Sequence, residues 1–213
     1  MSTVLSPKVE QYITSLLPPR DRVVREMERY AAQHSVPIIG PACGRPLHQL
    51  ARLIRARRVF ELGSAIGYST LWLARAVGPR GTVFYTDSDP ANARRAEDYL
   101  RRASVLDRVR MLTGEALHLL DSTEGEFDLI FNDVNKTGYP DVFRRALRRL
   151  RVGGLLISDN VLWSGRVTSS TKHEDADTHA IRQFNRLIYR SENLFTTIIP
   201  LRDGFAVCEK IRE

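Results

Sequence analysis

Long apolar runs are missing from this chain: none approaches the roughly 20 consecutive residues that a membrane-spanning helix needs, and the N-terminus lacks a basic-then-apolar leader pattern. No membrane partner is expected, and the cytoplasm is the expected compartment. Cysteine is nearly absent. Cys43 and Cys208 are the only two among 213 residues, which gives neither a disulfide framework nor metal-ligand spacing and fits a reducing compartment. Both are expected to be packing residues. Lysine is also rare, with 4 Lys against 28 Arg. Internal repeats and low-complexity stretches are absent as well.

What is present supports one domain. A hydrophobic content of 43% over this length supplies a sizeable core, and no shift in composition marks a second unit. Residues 1–56 are expected to form an N-terminal helical lid or cap and 57–213 the α/β core. The net charge of +7 and pI near 9.8 raise the question of a polyanionic partner. By segment, however, the charge is +4 over 1–56, +4 over 57–113, −2 over 114–160 and +1 over 161–213. Arginine doublets such as Arg94-Arg95, Arg101-Arg102, Arg144-Arg145 and Arg148-Arg149 fall in helical patterns and read as solvated faces. Nucleic-acid contact stays open without being the favoured reading.

The apolar run Val59 to Leu62 passes through Gly63 and Gly67 into a helical pattern carrying Leu71, Trp72, Ala74 and Val77, with Ser69 near its start. Glycine here permits a tight turn and close approach of backbone. The spacing is G-x-x-x-G and not the G-x-G-x-x-G that cradles a pyrophosphate. Glu61, two positions before the first glycine, would repel phosphate and suit a cationic or hydroxyl-rich ligand. A second apolar run ends in Asp87, followed by Asp89 as a helix cap and Pro90 at the first helical position. In a right-handed βαβ unit Asp87 reaches over the first glycine loop, where it can accept both hydroxyls of a ribose; its alternative role is a further helix cap.

The rhythm is strand 57–62, helix 68–77, strand 82–87, helix 90–103, strand 108–112, short helix 115–120, strand 127–132, helix 139–150 and strand 153–158. That alternation predicts a doubly wound, mostly parallel sheet of the Rossmann-like α/β class, seven-stranded with its tail. Before it, residues 6–35 read as two amphipathic helices broken at Pro18-Pro19, the second capped by Asp21, forming a lid or an oligomer face. A helix carrying Leu47, Leu50, Leu53 and Ile54 follows the stretch Pro37 to Pro41. After a helix at about 177–191, runs from Asn193 to Pro200 and Gly204 to Ile211 flank a turn at 201–204, predicting an antiparallel edge hairpin.

Two further strand ends are chemically loaded. The fourth strand leads into Asn132, Asp133, Asn135 and Lys136, and the fifth into Asp159, Asn160 and Trp163. If these strands are neighbours, two carboxylates and an amide oxygen converge beyond the carboxyl ends of the sheet, a hard oxygen set suited to Mg²⁺ or Ca²⁺. Separately, Asp133 could cap the next helix and Asp159-Asn160 could form a turn. Lys136 stands out in a chain that otherwise prefers Arg, because a lysine beside a divalent cation can give up its proton while arginine does not. A solvated Lys136 is the alternative.

These motifs resemble the cation-dependent class I S-adenosylmethionine O-methyltransferases, the family of the catechol and caffeoyl-coenzyme A enzymes and many bacterial relatives. The resemblance runs over nearly the whole chain, from Gly44, Arg45 and Pro46 through Glu61 to Ser69, Asp133 to Lys136 and Ser158 to Trp163, to Arg182 to Asn185 and Asp203-Gly204. It implies that Glu61, Gly63, Ser64 and Ser69 hold the methionine end and loop side of S-adenosylmethionine, that Asp87 binds its ribose, that Glu115 and Ala116 flank its adenine and that Ile39 lies near it. It further implies Asp133, Asp159 and Asn160 as ligands of Mg²⁺, with Ca²⁺ or Mn²⁺ as alternatives, Lys136 as general base with Asp133 beside it, and a homodimer. Asn135 departs from the family pattern, where an acid is common; an amide can still hold the cofactor's amino group through its oxygen.

The chemistry these residues imply is alignment of an acceptor oxygen with an already activated methyl group, and removal of that oxygen's proton. A small hydroxylated aromatic with vicinal hydroxyls is the expected acceptor, with Trp163 and Tyr139 as candidate aromatic walls. Two other readings stay open: a tRNA hydroxyuridine O-methyltransferase of the same family, and a nicotinamide-dependent oxidoreductase on the same architecture. Lys172 to Asp175 is a lid or a solvated turn.

Overall fold

The structure, a computed structural model, describes residues 6–169 and 174–213. Its elements in chain order are α1 (Pro7–Ser15), α2 (Arg22–His34), α3 (Gly40–Leu53), β1 (Arg58–Leu62), α4 (Tyr68–Val77), β2 (Thr82–Asp87), α5 (Pro90–Arg102), β3 (Val109–Thr113), α6 (Ala116–Ser122), β4 (Phe127–Asn132), α7 (Tyr139–Arg149), β5 (Leu150–Ser158), α8 (Ala176–Arg190), β6 (Leu194–Ile199) and β7 (Phe205–Lys210). Short 3₁₀ turns occupy Leu106–Arg108, Lys136–Gly138 and Trp163–Thr168.

The seven strands form one sheet in the order β3-β2-β1-β4-β5-β7-β6. The first five are parallel, while β7 runs antiparallel to both β5 and β6. This is the doubly wound sheet with an antiparallel tail that the alternation predicted. Its strands carry near-continuous apolar runs because helices cover both faces. On one face Val59, Tyr85, Leu129 and Phe131 pack with α3 and α4; on the other Phe60, Leu62, Ile130 and Leu156 pack with α6, α7 and α8. Val24 and Met27 of α2 and Cys43 and Leu47 of α3 are buried in the first of these clusters, which ties those helices to the sheet.

Local chemistry explains most boundaries. Asp21 accepts from the Val24 amide at 3.1 Å to start α2, and Asp89 accepts from Ala91 at 2.8 Å to start α5 with Pro90 in its first turn. Most boundaries shift by one or two residues from the sequence expectation, and three starts have a local cause. The third α-helix begins at Gly40 because Pro41 falls in its first turn, where a missing N–H costs nothing. The third strand shifts to start at Val109 because the Leu106–Arg108 turn precedes it. The fifth starts three residues early, at Leu150, which pairs with Phe127 across a register irregularity. Of the Lys172 to Asp175 stretch, Lys172 and His173 lie outside the described residues. Asp175 caps α8 by accepting from Thr178 at 2.9 Å, and Glu174 pairs with Arg182 at 2.6 Å.

Candidate active site

A cavity of about 1010 Å³ opens beyond the carboxyl ends of the parallel strands. The strand order reverses between β1 and β4, and that switch point is where open α/β sheets leave a crevice. Its walls include Gly63, Ala65, Asp87, Glu115, Ala116 and Asn135 on one side and Asp133, Lys136, Asp159, Asn160 and Trp163 on the other.

On the first side the glycine loop is held close to the next strand end. Gly63 has φ +84°, and a Cβ there would stand 2.7 Å from the Asp133 carbonyl oxygen. Gly67, at φ +81°, faces Ala96 of α5, 2.9 Å from where its own Cβ would be. Asp87 accepts from the Ala65 and Asp89 amides, at 2.9 and 2.8 Å, and from Asn92 Nδ2 at 3.2 Å. It therefore braces the loop while lining the cavity. Glu115 lines the cavity too and caps α6, accepting from Leu117 and His118 at 3.0 and 2.6 Å.

Four residues that the resemblance assigns to the cofactor, Ile39, Glu61, Ser64 and Ser69, do not line this cavity. Ile39 is buried at 2% exposure in the core, while its neighbours Pro37 and Ile38 face the cavity. Ser64 and Ser69 are buried and turn to Glu61, which is itself completely buried. Ser64 Oγ donates to Glu61 Oε2 at 2.8 Å and Thr70 Oγ1 donates to the same oxygen, while Oε1 has no hydrogen-bond partner among the described residues. Burial pushes the Glu61 carboxyl up to about 7, against the opposing hydrogen bonds from Ser69, Thr70 and Ser64 and with a small push from Asp133.

The second side assembles because β4 and β5 are neighbours. The Asp133 amide donates to Leu62 O at 2.9 Å and the Asp159 amide to Asn132 O at 3.1 Å, which brings these strand ends together. Lys136 Nζ donates to Asp133 Oδ1 at 2.8 Å, to Val134 O at 3.3 Å and to Tyr139 Oη at 3.0 Å. Its side chain is only 12% exposed, so it is not a solvated lysine. Burial pushes the carboxyls of Asp133 and Asp159 above their ordinary range; Asp133 raises Asp159 further, and Lys136 and Arg202 act on both in the other direction.

Tyr139 is fully buried and is not a wall of the cavity. Its hydroxyl donates to Asp159 O at 2.8 Å and accepts from Lys136, so it brackets the lysine against the strand end. Trp163 does line the cavity, with the Arg166 guanidinium 4.4 Å from its ring centroid. The turn between β6 and β7 adds two lining residues, Arg202 and Asp203, which the sequence placed in a hairpin turn and, for Asp203, in the family resemblance, without a role in the site. Arg202 Nη1 donates to Ile38 O at 3.0 Å, and Asp203 Oδ2 accepts from Asn160 Nδ2 at 3.4 Å.

The fit to a divalent cation rests on Asp159. It is 2% exposed, and its Oδ1 is buried with no hydrogen-bond partner among the described residues. Burying an ionised carboxylate with an unpaired oxygen is costly unless a cation pairs with it. No three His, Cys, Asp or Glu side chains form a metal-holding group among the described residues; the available donors are two carboxylates and the amide oxygen of Asn160. Such an oxygen-only set fits a hard cation that keeps water or ligand oxygens in its remaining positions.

The charged walls comprise six carboxylates and three cations, a formal −3 in a chain of net +7. Cationic ligands are therefore favoured there, and a pyrophosphate is not. Outside it, four of the eight doublet arginines pair with acids: Arg101 with Glu97 at 2.5 Å, Arg102 with Glu26 and Asp98, Arg144 with Asp141 at 2.5 Å and Arg145 with Asp121. No helix among the described residues is long and apolar enough to cross a membrane.

Comparison with known proteins agrees with this geometry. The O-methyltransferase family model matches residues 16–211. A catechol O-methyltransferase of Niastella koreensis is 32% identical over 94% of this chain and 93% of its own. A catechol O-methyltransferase of Mycobacterium tuberculosis is 37% identical over 77% of this chain and 76% of its own. The crystal structure of a Streptomyces achromogenes O-methyltransferase involved in tomaymycin synthesis, solved with S-adenosylmethionine, superimposes with a TM-score of 0.87 at 31% identity, covering 96% of each chain.

Proposed function

From the premise that this chain belongs to the O-methyltransferase family, we propose that it transfers the methyl group of S-adenosylmethionine, in a divalent-cation-dependent reaction, to one hydroxyl of a small aromatic vicinal diol. The observation that carries this reading is the convergence of Asp133, Lys136, Asp159 and Asn160 on one cavity wall, opposite the loop and strand end of Gly63 and Asp87. Family membership sets aside the nicotinamide reading, which the acidic walls also disfavour. The same acidic walls, at the place where an acceptor would meet the cofactor, favour a small acceptor over RNA.

In this reading Gly63 lets the cofactor approach bare backbone, Asp87 accepts from its ribose hydroxyls, Glu115 and Ala116 flank its adenine and Asn135 meets its methionine end. Glu61, Ser64 and Ser69 act from behind, as the buried brace of the loop, and Ile39 by setting Pro37 and Ile38 against the cavity. Asp133, Asp159 and Asn160 would hold the cation, which when bound lowers the pKa of the acceptor's paired oxygens and fixes their position. Mg²⁺ is the expected ion, with Ca²⁺ or Mn²⁺ as substitutes. Lys136, steadied by Asp133 and Tyr139, donates three hydrogen bonds as an ammonium; it would serve as the base for the acceptor's proton only after giving up one of its own to solvent, a loss that a neighbouring bound cation favours. Trp163 supplies an aromatic wall for the acceptor ring.

The test is methyl transfer to catechol with Mg²⁺, assayed by mass spectrometry. Activity should be abolished by a chelator, restored by added Mg²⁺ and lost in Asp159→Ala. Activity undiminished by the chelator would sink the cation-dependent reading.

A further inference from the structure

The turn that joins β6 to β7 contributes more than a connection. Asp203 meets the segment that follows β5 through both its side chain and its backbone. Its Oδ1 accepts from the Ser164 amide, its Oδ2 accepts from Asn160 Nδ2 at 3.4 Å and its carbonyl accepts from the Leu162 amide at 2.9 Å. The next residue, Gly204, accepts from the Val161 amide at 3.2 Å. Gly204 has φ +88°, and a Cβ there would stand 2.5 Å from Leu162 Cγ, so the two segments leave no room for a side chain at this point.

The segment so held is a strained one. Asn160, Trp163 and Ser164 all have left-handed backbones, with φ of 57°, 47° and 54°. None is glycine, and such conformations persist only where surrounding contacts over-determine them. Asp203 supplies those contacts at both ends of the segment. It also selects between the two faces of the Asn160 amide: with Nδ2 donating to a carboxylate, the oxygen is the atom left over for another partner.

We propose that Asp203 is a positioning residue that holds the 160–164 segment in its strained form and turns the Asn160 amide so that its oxygen, not its nitrogen, is presented to a divalent cation. This rests on the reading of Asn160 as a cation ligand. Partners that orient metal ligands typically carry 10- to 100-fold of the metal affinity. Replacement of Asp203 should therefore be felt in cation binding, separately from cofactor binding.

The test measures Mn²⁺ binding by electron paramagnetic resonance on the purified protein, S-adenosylmethionine binding by calorimetry without metal, and acrylamide quenching of Trp163 in a Trp72→Phe background. Asp203→Ala should weaken Mn²⁺ about 10- to 100-fold, raise Trp163 quenching as the segment relaxes, and lower metal-free cofactor affinity far less than it lowers Mn²⁺ affinity. Asp203→Asn separates the two functions. Its oxygen can still accept from the Ser164 amide, so Trp163 quenching should stay near native. Its new amide N–H would face Asn160 and favour the flipped Asn160, so Mn²⁺ affinity should fall as in Asp203→Ala.

A folded Asp203→Ala protein with native Mn²⁺ affinity and native quenching overturns the proposal, as does native Mn²⁺ affinity in Asp203→Asn. If the wild-type protein binds no Mn²⁺ while Trp163 still responds to Asp203→Ala, the cation reading fails and the brace on 160–164 stands. If neither is seen, both fall.

Discussion

Replacing Glu61 by Gln should make the ligand-free protein relatively more stable at alkaline pH. The native carboxyl has no exposure and no salt bridge among the described residues, and burial pushes it from 4.5 to about 7. Below pH 4.5 the group is neutral in both folded and unfolded chains, and the fold carries no ionisation penalty. As pH rises above 4.5, the unfolded chain ionises first and native stability declines; the loss levels off once the native carboxyl ionises, around 7. At 1.36 kcal/mol per pH unit the full penalty is about 3 kcal/mol. About 2 kcal/mol of it falls between pH 5.5 and 8.5. Glutamine keeps the shape and cannot ionise. Asp133 and Asp159 titrate in both proteins, so their contributions largely cancel in the comparison. Urea denaturation at the two pH values should therefore show the stability difference between variant and wild type moving by about 2 kcal/mol in favour of glutamine at pH 8.5. A difference that moves by less than about 0.5 kcal/mol would refute the claim that Glu61 is buried without a compensating cation.

Other outcomes follow from single contacts. Gly63→Ala must place a Cβ 2.7 Å from the Asp133 carbonyl at φ +84°; a loss of about 2–4 kcal/mol is expected from the left-handed backbone and overpacking together, with weakened cofactor binding by calorimetry, and native values for both would contradict the close approach. Tyr139→Phe keeps the packing on Phe184 and removes the hydroxyl between Lys136 and Asp159. Denaturation should show a cost of about 1–3 kcal/mol and turnover should fall; an unchanged turnover would remove the bracketing role. Asp128 accepts from the Arg57 and Arg58 amides, both at 2.8 Å, and from Arg151 at 2.6 Å. Burial raises its carboxyl, but Arg151 and the two amides outweigh that and hold it below the ordinary range. Its stabilisation is thus present above about pH 3.9 and lost as pH falls through the lower native value. Asp128→Asn should cost about 1–3 kcal/mol at pH 7, and acid titration should show the gap to wild type narrowing below about pH 4; a gap that is constant with pH would contradict this.

Much of the site was readable because its signals are local. Glycine spacing, an acid at a strand end and a proline after a cap each act within a few residues, so Gly63, Asp87, Asp133 and Lys136 could be named without a fold. Side-chain direction was less readable. Ser64 and Ser69 lie in the glycine motif, yet the turn aims both inward at Glu61, and Ile39 faces the core while Ile38 faces the cavity. Tyr139 sits three residues from Lys136, where an aromatic wall was expected; helix geometry buries its ring and leaves only the hydroxyl for chemistry.

The sequence by itself determined the alternation of strands and helices and the strand-end placement of the chemical residues, because periodicity and turn chemistry are short-range; its motifs also carried the resemblance to O-methyltransferases. Only the tertiary structure decided that Arg202 and Asp203 belong to the site. They enter it because β7 pairs antiparallel with β5, which brings a turn 43 residues away in sequence against Asn160. The hairpin itself was legible from its turn, but that β7 and not β6 lies beside β5 is set by how the whole sheet closes.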